Sequence, residues 1–344
     1  MKHIAIYILL FLAFSSCQTA QRENKLTNKI SPVNVKVAKA PINEVLNHDF
    51  RVNVEGFEVP VYNSRVSVVP VGKDVSELPS SYELAAFAYF DLEEGSATVN
   101  VGYKESIRSV RFVTAGKAPV PDFHDNMLSF IVDEPLNLSV IINNDSIHVL
   151  SLFINPKEED KPDPKDPKVV YFAPGSYRLP SAALEDGMTV YVAAGAVVHC
   201  YVGPHEWYTV NTETGLKNYS PFYMLDLNGN HIKVRGRGII DADNTPLNSR
   251  RGIRIKGEDI SLEGVIIRNS SECAIFVDSA SHVDISNVKV LNYRFNANGI
   301  QTTPTSQDVT MNESYIRAQI PLDDVSNNMN ISNNTFINLD NNNH

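Results

Sequence analysis

The stretch Ile253-Arg-Ile-Lys-Gly-Glu-Asp-Ile-Ser-Leu-Glu-Gly-Val-Ile-Ile267 decides the fold, because its apolar pattern returns along the second half of the chain. Its leucine belongs to a ladder of apolar residues, which are Val234, Leu262, Ile285, Met311 and Ile331. Five residues after each of these stands another apolar residue, in order Ile239, Ile267, Val290, Ile316 and Phe336. The residues two places after the ladder positions are mostly of types suited to bends. They are Gly236, Gly264, Asn287, Glu313 and Asn333. A strand, a bend and a second strand therefore recur once every 20 to 28 residues.

A second ladder runs in phase with the first. It consists of Leu225, Ile253, Ile275, Ile300 and Val325, with Leu227, Ile255, Val277 and Thr302 two places further on. Two short strands per repeat, with no helix-period segment between them, are what a right-handed parallel β-helix requires, because each coil stacks its inward side chains on the next. We predict this fold for residues 169–344. The alternative is a large antiparallel sandwich, which the two in-phase registers disfavour.

The chain before the repeats has a different pattern. Short alternating runs such as Phe50-Arg-Val-Asn-Val54 and Ala97-Thr-Val-Asn-Val101 are separated by turn residues over residues 31–154. Period-two alternation of this kind predicts an antiparallel β-sandwich. Residues 155–168 contain four prolines and nine charged residues, which indicates a linker or an exposed strap.

The N-terminal 17 residues have the pattern of a secretory signal. A polar start is followed by an apolar run from Ile4 to Phe14, which is too short to span a bilayer as a mature helix. The following Ser15-Ser16-Cys17 resembles a bacterial lipobox, so we predict that Cys17 is lipidated and that residues 18–30 form a polar tether. The alternative is an ordinary signal peptide with an incidental cysteine. The expected location is the bacterial cell envelope, in the periplasm or at the outer membrane, and the only expected membrane contact is the lipid anchor.

Net charge and residue spacing argue against nucleic-acid binding and against a metal site. The chain has 344 residues and a formal net charge of −10, which argues against nucleic acid as a partner, because nucleic-acid affinity comes largely from clustered Lys and Arg. His199, Cys200 and His205 lack the spacing of a metal site, so we expect neither a metal nor another cofactor. Cys200 and Cys273 are expected to be buried thiols.

Polar and aromatic residues collect beside the second ladder. The residues two places before its inward positions predict one outward column of Cys273, Asn298 and Asp323. The residues one place after those positions, Arg254, Phe276, Gln301 and Ser326, predict another. One strip of surface would then combine amide, carboxylate, guanidinium and aromatic groups, and such a strip suits a polysaccharide lying along the helix.

Three runs open the repeats: Val169-Val-Tyr-Phe-Ala-Pro-Gly-Ser-Tyr177, Gly187-Met-Thr-Val-Tyr-Val-Ala-Ala-Gly-Ala-Val-Val198 and Ile232-Lys-Val-Arg-Gly-Arg-Gly-Ile-Ile-Asp-Ala242. They resemble the opening of glycoside hydrolase family 28 (polygalacturonase-like) β-helix proteins and of the related dextranase family 49. Asn292-Tyr-Arg-Phe-Asn-Ala-Asn-Gly-Ile-Gln301 looks like the Asn-Thr-Asp-Gly segment of family 28. Tyr315-Ile-Arg-Ala-Gln-Ile-Pro-Leu-Asp-Asp324 looks like its Asp-Asp segment one coil later, with Ile320-Pro-Leu322 as an apparent insertion. The resemblance implies an all-β, pectin-lyase-like fold in which a sandwich precedes a single-stranded β-helix.

The resemblance also implies roles for residues. Asp323 would be the general acid and Asp324 part of the base that activates water, while the amide of Asn298 stands where the family has a third aspartate. Arg254, Phe276 and Gln301 would bind substrate, and His344 could take the position of a family histidine one coil further along. Later segments of the family are not found in this sequence, so the β-helix is expected to be incomplete at its C-terminus.

The resemblance therefore implies an inverting hydrolase of an extracellular polysaccharide. Two alternatives stay open. The chain could be a glycan-binding surface lipoprotein that does not cut its ligand, or it could be a polysaccharide lyase that uses a basic residue such as Arg254 or Lys256.

Overall fold

A computed structural model describes residues 34–67, 82–180, 182–201, 208–210, 213–214, 217–219, 222–244, 250–270, 272–292 and 298–339. The regular structure of these residues is entirely β. Among them no helix is long and apolar enough to cross a membrane. The predicted signal segment, Cys17, the tether and His344 lie outside the described residues.

Two sheets form the N-terminal sandwich. Sheet A contains β1 (Val35–Lys36), β4 (Tyr62–Ser67), β5 (Tyr82–Leu92), β7 (Val110–Val113), β10 (Leu136–Ile142) and β11 (Leu150–Pro156). Sheet B contains β2 (Phe50–Val54), β3 (Phe57–Val59), β6 (Ala97–Tyr103), β8 (Asp122–His124) and β9 (Met127–Val132). In β6 every second residue is buried, as the alternation in the sequence predicts. All strand pairs are antiparallel except β5 with β11, which are parallel.

Three parallel sheets form the β-helix. Sheet C contains β12 (Val169–Phe172), β15 (Thr189–Val192), β20 (Lys233–Gly236), β23 (Glu258–Glu263), β26 (Ser281–Ser286), β29 (Gln307–Asn312) and β32 (Asn327–Ser332). Sheet D contains β13 (Gly175–Leu179), β16 (Ala196–Tyr201), β21 (Ile239–Asn244), β24 (Ile266–Arg268), β27 (Lys289–Leu291), β30 (Tyr315–Ala318) and β33 (Thr335–Asn338). Sheet E contains β14 (Ala182–Leu184), β19 (Phe222–Asn228), β22 (Arg250–Lys256), β25 (Ile275–Val277), β28 (Asn298–Thr302) and β31 (Ile320–Asp323). An antiparallel pair, β17 (Tyr208–Val210) and β18 (Lys217–Tyr219), lies between β16 and β19 along the chain. The predicted all-β fold, a sandwich followed by a parallel β-helix, is confirmed.

The first ladder has the predicted register in sheet C. Val234, Leu262, Ile285, Met311 and Ile331 are consecutive partners. In sheet D the partner of Ile267 is Ile240, so the prediction of Ile239 is wrong by one residue. The reason is a longer bend in that coil, between Gly236 and β21. The five predicted bend residues all have positive φ, between 50° and 126°, as the sharp corner requires.

The second ladder is correct for four coils and wrong in the fifth. Leu225, Ile253, Ile275 and Ile300 are partners, but Ile300 pairs with Leu322 and not with Val325. Ile320-Pro-Leu322 is therefore part of β31 and not an insertion. Because the register moves by three residues, Asn298 lies opposite Ile320, and Asp323 lies opposite Gln301. For this reason the predicted columns are wrong in the fifth coil. Asp323 does not continue the column of Cys273 and Asn298, and it takes the place after Gln301 that was predicted for Ser326.

The sandwich covers sheet D. Aromatic side chains of sheet A, including Phe87 and Phe153, pack against Ile239, Ile266 and Tyr315 of the β-helix. The Tyr315 hydroxyl lies 2.5 Å from Ser139 Oγ and 2.9 Å from Ser151 Oγ across this interface. Glu158 lies in the segment between β11 and β12, which the sequence predicts to be a linker or an exposed strap. It accepts a hydrogen bond from Tyr191 Oη at 2.7 Å, so this segment is anchored to the β-helix.

Buried charges also connect the two parts. Arg268 donates to Glu44 (2.6 Å) and to Asp241 (3.0 Å), and His199 Nδ1 lies 2.9 Å from Asp241 Oδ2. Burial alone would raise the pKa of Asp241, but Arg268 and His199 outweigh it and hold that pKa well below its usual range. His199 is thus a packing residue of the interface. Cys200 and Cys273 are buried thiols, as predicted.

Candidate functional site

A continuous column of side chains runs along the outward face of sheet E, and we call it the sheet E column. Successive strands place its members in register: Asp226, Arg254, Phe276, Gln301 and Asp323. Inward residues such as Ile253 and Ile275 are fully buried beside it, so the strand alternation turns the column outward. At about 4.8 Å per coil, its five members extend over roughly 19 Å.

One end of the column combines a guanidinium with carboxylates. Arg254 donates from Nε to Asp226 Oδ1 (2.7 Å) and from Nη2 to Asp226 Oδ2 (2.6 Å). Its Nη1 lies 3.8 Å from Asp278 Oδ2. The hydrogen bonds to Asp226 raise the pKa of Arg254 above its ordinary value. A bidentate pair of this kind fixes the orientation of both side chains.

The guanidinium lies over one ring of an aromatic pair. Arg254 Cζ lies 4.8 Å from the centre of the Tyr223 ring. The Tyr223 and Phe276 rings are nearly parallel, at 8°, with their centres 6.3 Å apart. These rings give the face flat apolar surfaces next to fixed polar groups, which is the combination found in ligand sites that need orientation.

The other end of the column is made of amides and a carboxylate. Asp323 Oδ2 accepts hydrogen bonds from Gln301 Nε2 (3.0 Å) and from Asn298 Nδ2 (3.2 Å). The main chain of Asn298 is itself fixed, because its carbonyl accepts from Asn292 Nδ2 at 2.7 Å. The predicted residues Asn298, Gln301 and Asp323 are therefore brought together, although by a different register from the predicted one.

Asp324 lies in the turn after β31. Its Oδ1 accepts from Thr302 Oγ1 (2.6 Å) and from the amide (3.0 Å) and hydroxyl (2.6 Å) of Ser326. Burial works in the opposite direction, but these hydrogen bonds from Ser326 and Thr302 prevail and lower the pKa of Asp324. Asp324 stays charged at neutral pH and holds the chain at the end of the strand.

Sequence reasoning missed three residues of this face: Asp226, Tyr223 and Asp278. Asp226 could have been found, because it follows Leu225 as Arg254 follows Ile253. The importance of Tyr223 and Asp278 depends on how Arg254 is oriented, which the ladder does not indicate. Of the other predicted site residues, His344 lies outside the described part of the chain.

No protein-family model matches the chain, and no curated protein matches it. Solved structures do match. A proposed glycosyl hydrolase from Parabacteroides merdae is 20% identical, with a TM-score of 0.38, over 49% of this chain and 82% of that one. The family 28 exopolygalacturonase of Yersinia enterocolitica is 12% identical, with a TM-score of 0.39, over 71% of this chain and 67% of that one. Dex49A from Penicillium minioluteum is 12% identical, with a TM-score of 0.41, over 87% of this chain and 90% of that one. Both groups that the sequence resembles are among these structures.

Proposed function

We propose that the protein binds a polysaccharide along the sheet E column and hydrolyses its glycosidic bonds, with Asp323 as the general acid. The observation that supports this most directly is the column itself, in which five coils align carboxylate, guanidinium, aromatic and amide groups on one face. The similar solved structures include an exopolygalacturonase, and hydrolysis by this chain would be the same kind of reaction.

The extent of the column favours a chain-like ligand. A face of roughly 19 Å is longer than a single small sugar needs, and its polar groups lie at intervals of one coil. Aromatic rings at Tyr223 and Phe276 offer apolar surfaces for the faces of sugar rings, while Gln301 and Asn298 offer amides for hydroxyl groups.

The chemistry would require two carboxyl groups. An inverting glycosidase uses a protonated acid at the leaving oxygen and a carboxylate that activates water, about 6.5–9.5 Å apart. Asp323 is on the face of the column, and Asp324, whose hydrogen bonds favour the charged form, is the adjacent carboxylate. Asn298 is an amide and cannot accept a proton from water, so we expect slow turnover.

The second candidate function is glycan binding without cleavage. It is favoured by the hydrogen bonds that hold Asp324 Oδ1 in the turn, because a carboxylate held by three donors is a weak base. Elimination by a lyase has less support, since the pair with Asp226 keeps Arg254 protonated and a protonated guanidinium cannot remove a proton from a uronate.

The test is a panel of plant, algal and microbial polysaccharides, assayed with the full chain for new reducing ends, for unsaturated ends that absorb in the ultraviolet, and for binding. We expect reducing ends without ultraviolet absorbance, and their loss in Asp323→Asn with binding retained. The matched control is Asp284→Asn, which changes an exposed outward aspartate of sheet C. Robust turnover that survives Asp323→Asn would place the active site elsewhere, and binding without turnover would support the second candidate.

A further inference from the structure

A column of alternating imidazole and carboxylate groups follows the corner at which the chain enters sheet C. Its members, which we call the corner column, are His231, Asp259, His282, Asp308 and Asn328. Each has a positive φ, between 52° and 66°. Asn, Asp and His are the side chains that tolerate this left-handed backbone best, so the corner explains part of the composition.

The backbone does not explain the alternation. The other corner, between sheets C and D, needs positive φ at Gly236, Gly264, Asn287, Glu313 and Asn333, and these residues include no histidine. The same conformational requirement is thus met there by other residues. The imidazoles of the corner column need a separate reason.

Three side chains of this corner converge as metal ligands would. Glu258 Oε1 lies 3.4 Å and Asp259 Oδ1 lies 3.8 Å from His282 Nδ1. One ligand atom from each of the three residues lies within 4.8 Å of the other two. Two ligands bound to a tetrahedral zinc ion at about 2.0–2.2 Å are roughly 3.3–3.6 Å from one another, so small rotations would bring all three to one ion.

The second nitrogen of the same imidazole faces another carboxylate. His282 Nε2 lies 3.7 Å from Asp308 Oδ2, and Asp308 Oδ1 accepts a hydrogen bond from Asn328 Nδ2 at 2.6 Å. A metal-bound histidine commonly donates its other N–H to a carboxylate, which orients the ring and increases its basicity. Asp308, fixed by Asn328, stands in that position.

We propose that Glu258, Asp259 and His282 bind a divalent transition-metal ion of the zinc type. Asp308 is the positioning residue behind the imidazole. A donor set of one nitrogen and two oxygens suits zinc and its neighbours, whereas calcium takes oxygen ligands. Exposure of all three side chains leaves room for water at the remaining coordination positions.

A bound metal ion would cross-link two adjacent coils of the β-helix. Glu258 and Asp259 belong to β23, and His282 belongs to β26, the next strand of sheet C. An ion held by both strands stabilises the folded chain over the unfolded chain. This inference does not depend on the proposed hydrolysis, because the corner column lies outside the sheet E column.

The test titrates the full chain with Zn²⁺ by calorimetry and records thermal unfolding with and without the ion. We expect one equivalent to bind and to raise the melting temperature. His282→Asn, which keeps a side chain suited to positive φ, should weaken zinc binding at least tenfold and abolish the thermal shift. Asp308→Asn should weaken it by about 10- to 100-fold. Cu²⁺ bound to the wild type should show nitrogen coordination by electron paramagnetic resonance, and His282→Asn should lose that signal.

The matched control is His124→Asn, which removes an exposed imidazole that lies 3.3 Å from Asp125 in the sandwich. It should leave zinc binding unchanged, and Ca²⁺ should not reproduce the thermal shift. Absence of zinc binding to the wild type would overturn the proposal. So would equal affinity in the wild type and His282→Asn, or an equal loss in His124→Asn.

Discussion

Gln301 and Asp323 are partners in adjacent strands of sheet E, and the Gln301 amide donates a hydrogen bond of 3.0 Å to the Asp323 carboxylate. This pairing puts Asp323 at the end of a column that begins at Asp226. The Asn298 amide also lies beside the carboxylate and donates to it at 3.2 Å, from a position three residues before Gln301 on β28. Among the described residues, two amides donate to this aspartate.

Loss of the Phe276 ring should weaken polysaccharide binding. Phe276 occupies the middle of the sheet E column and stacks parallel to Tyr223. We expect Phe276→Ala to reduce affinity roughly tenfold, equivalent to about 1.4 kcal/mol, as measured by calorimetry with the best-bound polysaccharide. Phe123→Ala, which removes an exposed ring of the sandwich, should have no effect. Equal losses in the two variants would argue against binding at this face.

Gly252 should be intolerant of any side chain. A Cβ at this position would lie 2.2 Å from the carbonyl oxygen of Ala274 in the next coil. Gly252→Ala must therefore separate β22 from β25, and overpacking of this kind costs about 1–3 kcal/mol of unfolding free energy. Chemical denaturation measures the loss, and glycan affinity should fall with it because Arg254 and Phe276 lie on these two strands. Gly116→Ala, where a Cβ meets nothing within 4 Å, is the control.

The sequence was sufficient to predict the β-helix because its inward residues must repeat. Leu262, Ile285 and Met311 are in register and fully buried, so the periodicity reports the core directly. The prediction failed at Val325, which is 53% exposed. An apolar residue that follows a strand cannot be distinguished from a core residue by its type alone. Leu322 satisfied the same pattern three residues earlier.

Residues that act between the sandwich and the β-helix could not be predicted. His199 and Arg268, which both contact Asp241, reach Glu44 only because the sandwich covers sheet D. Each is unremarkable within its own segment, since polar residues are common at outward strand positions. The docking of one part on the other turns them into a buried cluster, and local periodicity contains no information about it.

Asp91 should make stability depend on pH. Burial raises its pKa to about 6, although Arg237 lowers it in part. The folded state therefore binds this proton more tightly than the unfolded chain, so the stabilisation is complete below pH 4 and is lost as pH rises through 6. From well below pH 4 to well above pH 6 the unfolding free energy should fall by about 3 kcal/mol in total.

The measurement is urea unfolding of the wild type and Asp91→Asn at pH 4, 6 and 8. The variant has no proton to lose, so its stability relative to the wild type should increase with pH. A constant difference between the two proteins would show that Asp91 does not titrate in this range.

Cys17 is predicted to carry lipid, since an apolar run and two serines precede it. Labelled fatty acid should enter the wild type in a bacterial host, and Cys17→Ser should not be labelled. Cys200→Ser, which changes a buried thiol, serves as the control and should be labelled normally. Equal labelling of wild type and Cys17→Ser would rule out a lipoprotein anchored at this residue.

A carboxylate at position 298 should increase hydrolysis. In the wild type, Asn298 Nδ2 donates to Asp323 Oδ2 at 3.2 Å. In Asn298→Asp two carboxyl groups would face each other at a similar distance. Two carboxylates so close repel each other, so only one of the groups would ionise and the pair would share a proton. The pair would then keep one proton to higher pH than a single carboxyl group does, and general-acid catalysis requires such a proton.

General acid and base catalysis contributes roughly 10²- to 10⁴-fold, so we expect Asn298→Asp to raise reducing-end release by some part of that range and to move its pH optimum upward. Asn330→Asp adds the same charge to an exposed position of sheet C and should change neither quantity. Asp323→Asn in the Asn298→Asp background should remove the gain, because the added carboxylate would have no acid to support. Unchanged or slower hydrolysis by Asn298→Asp, with polysaccharide affinity intact, would contradict the role assigned to Asp323.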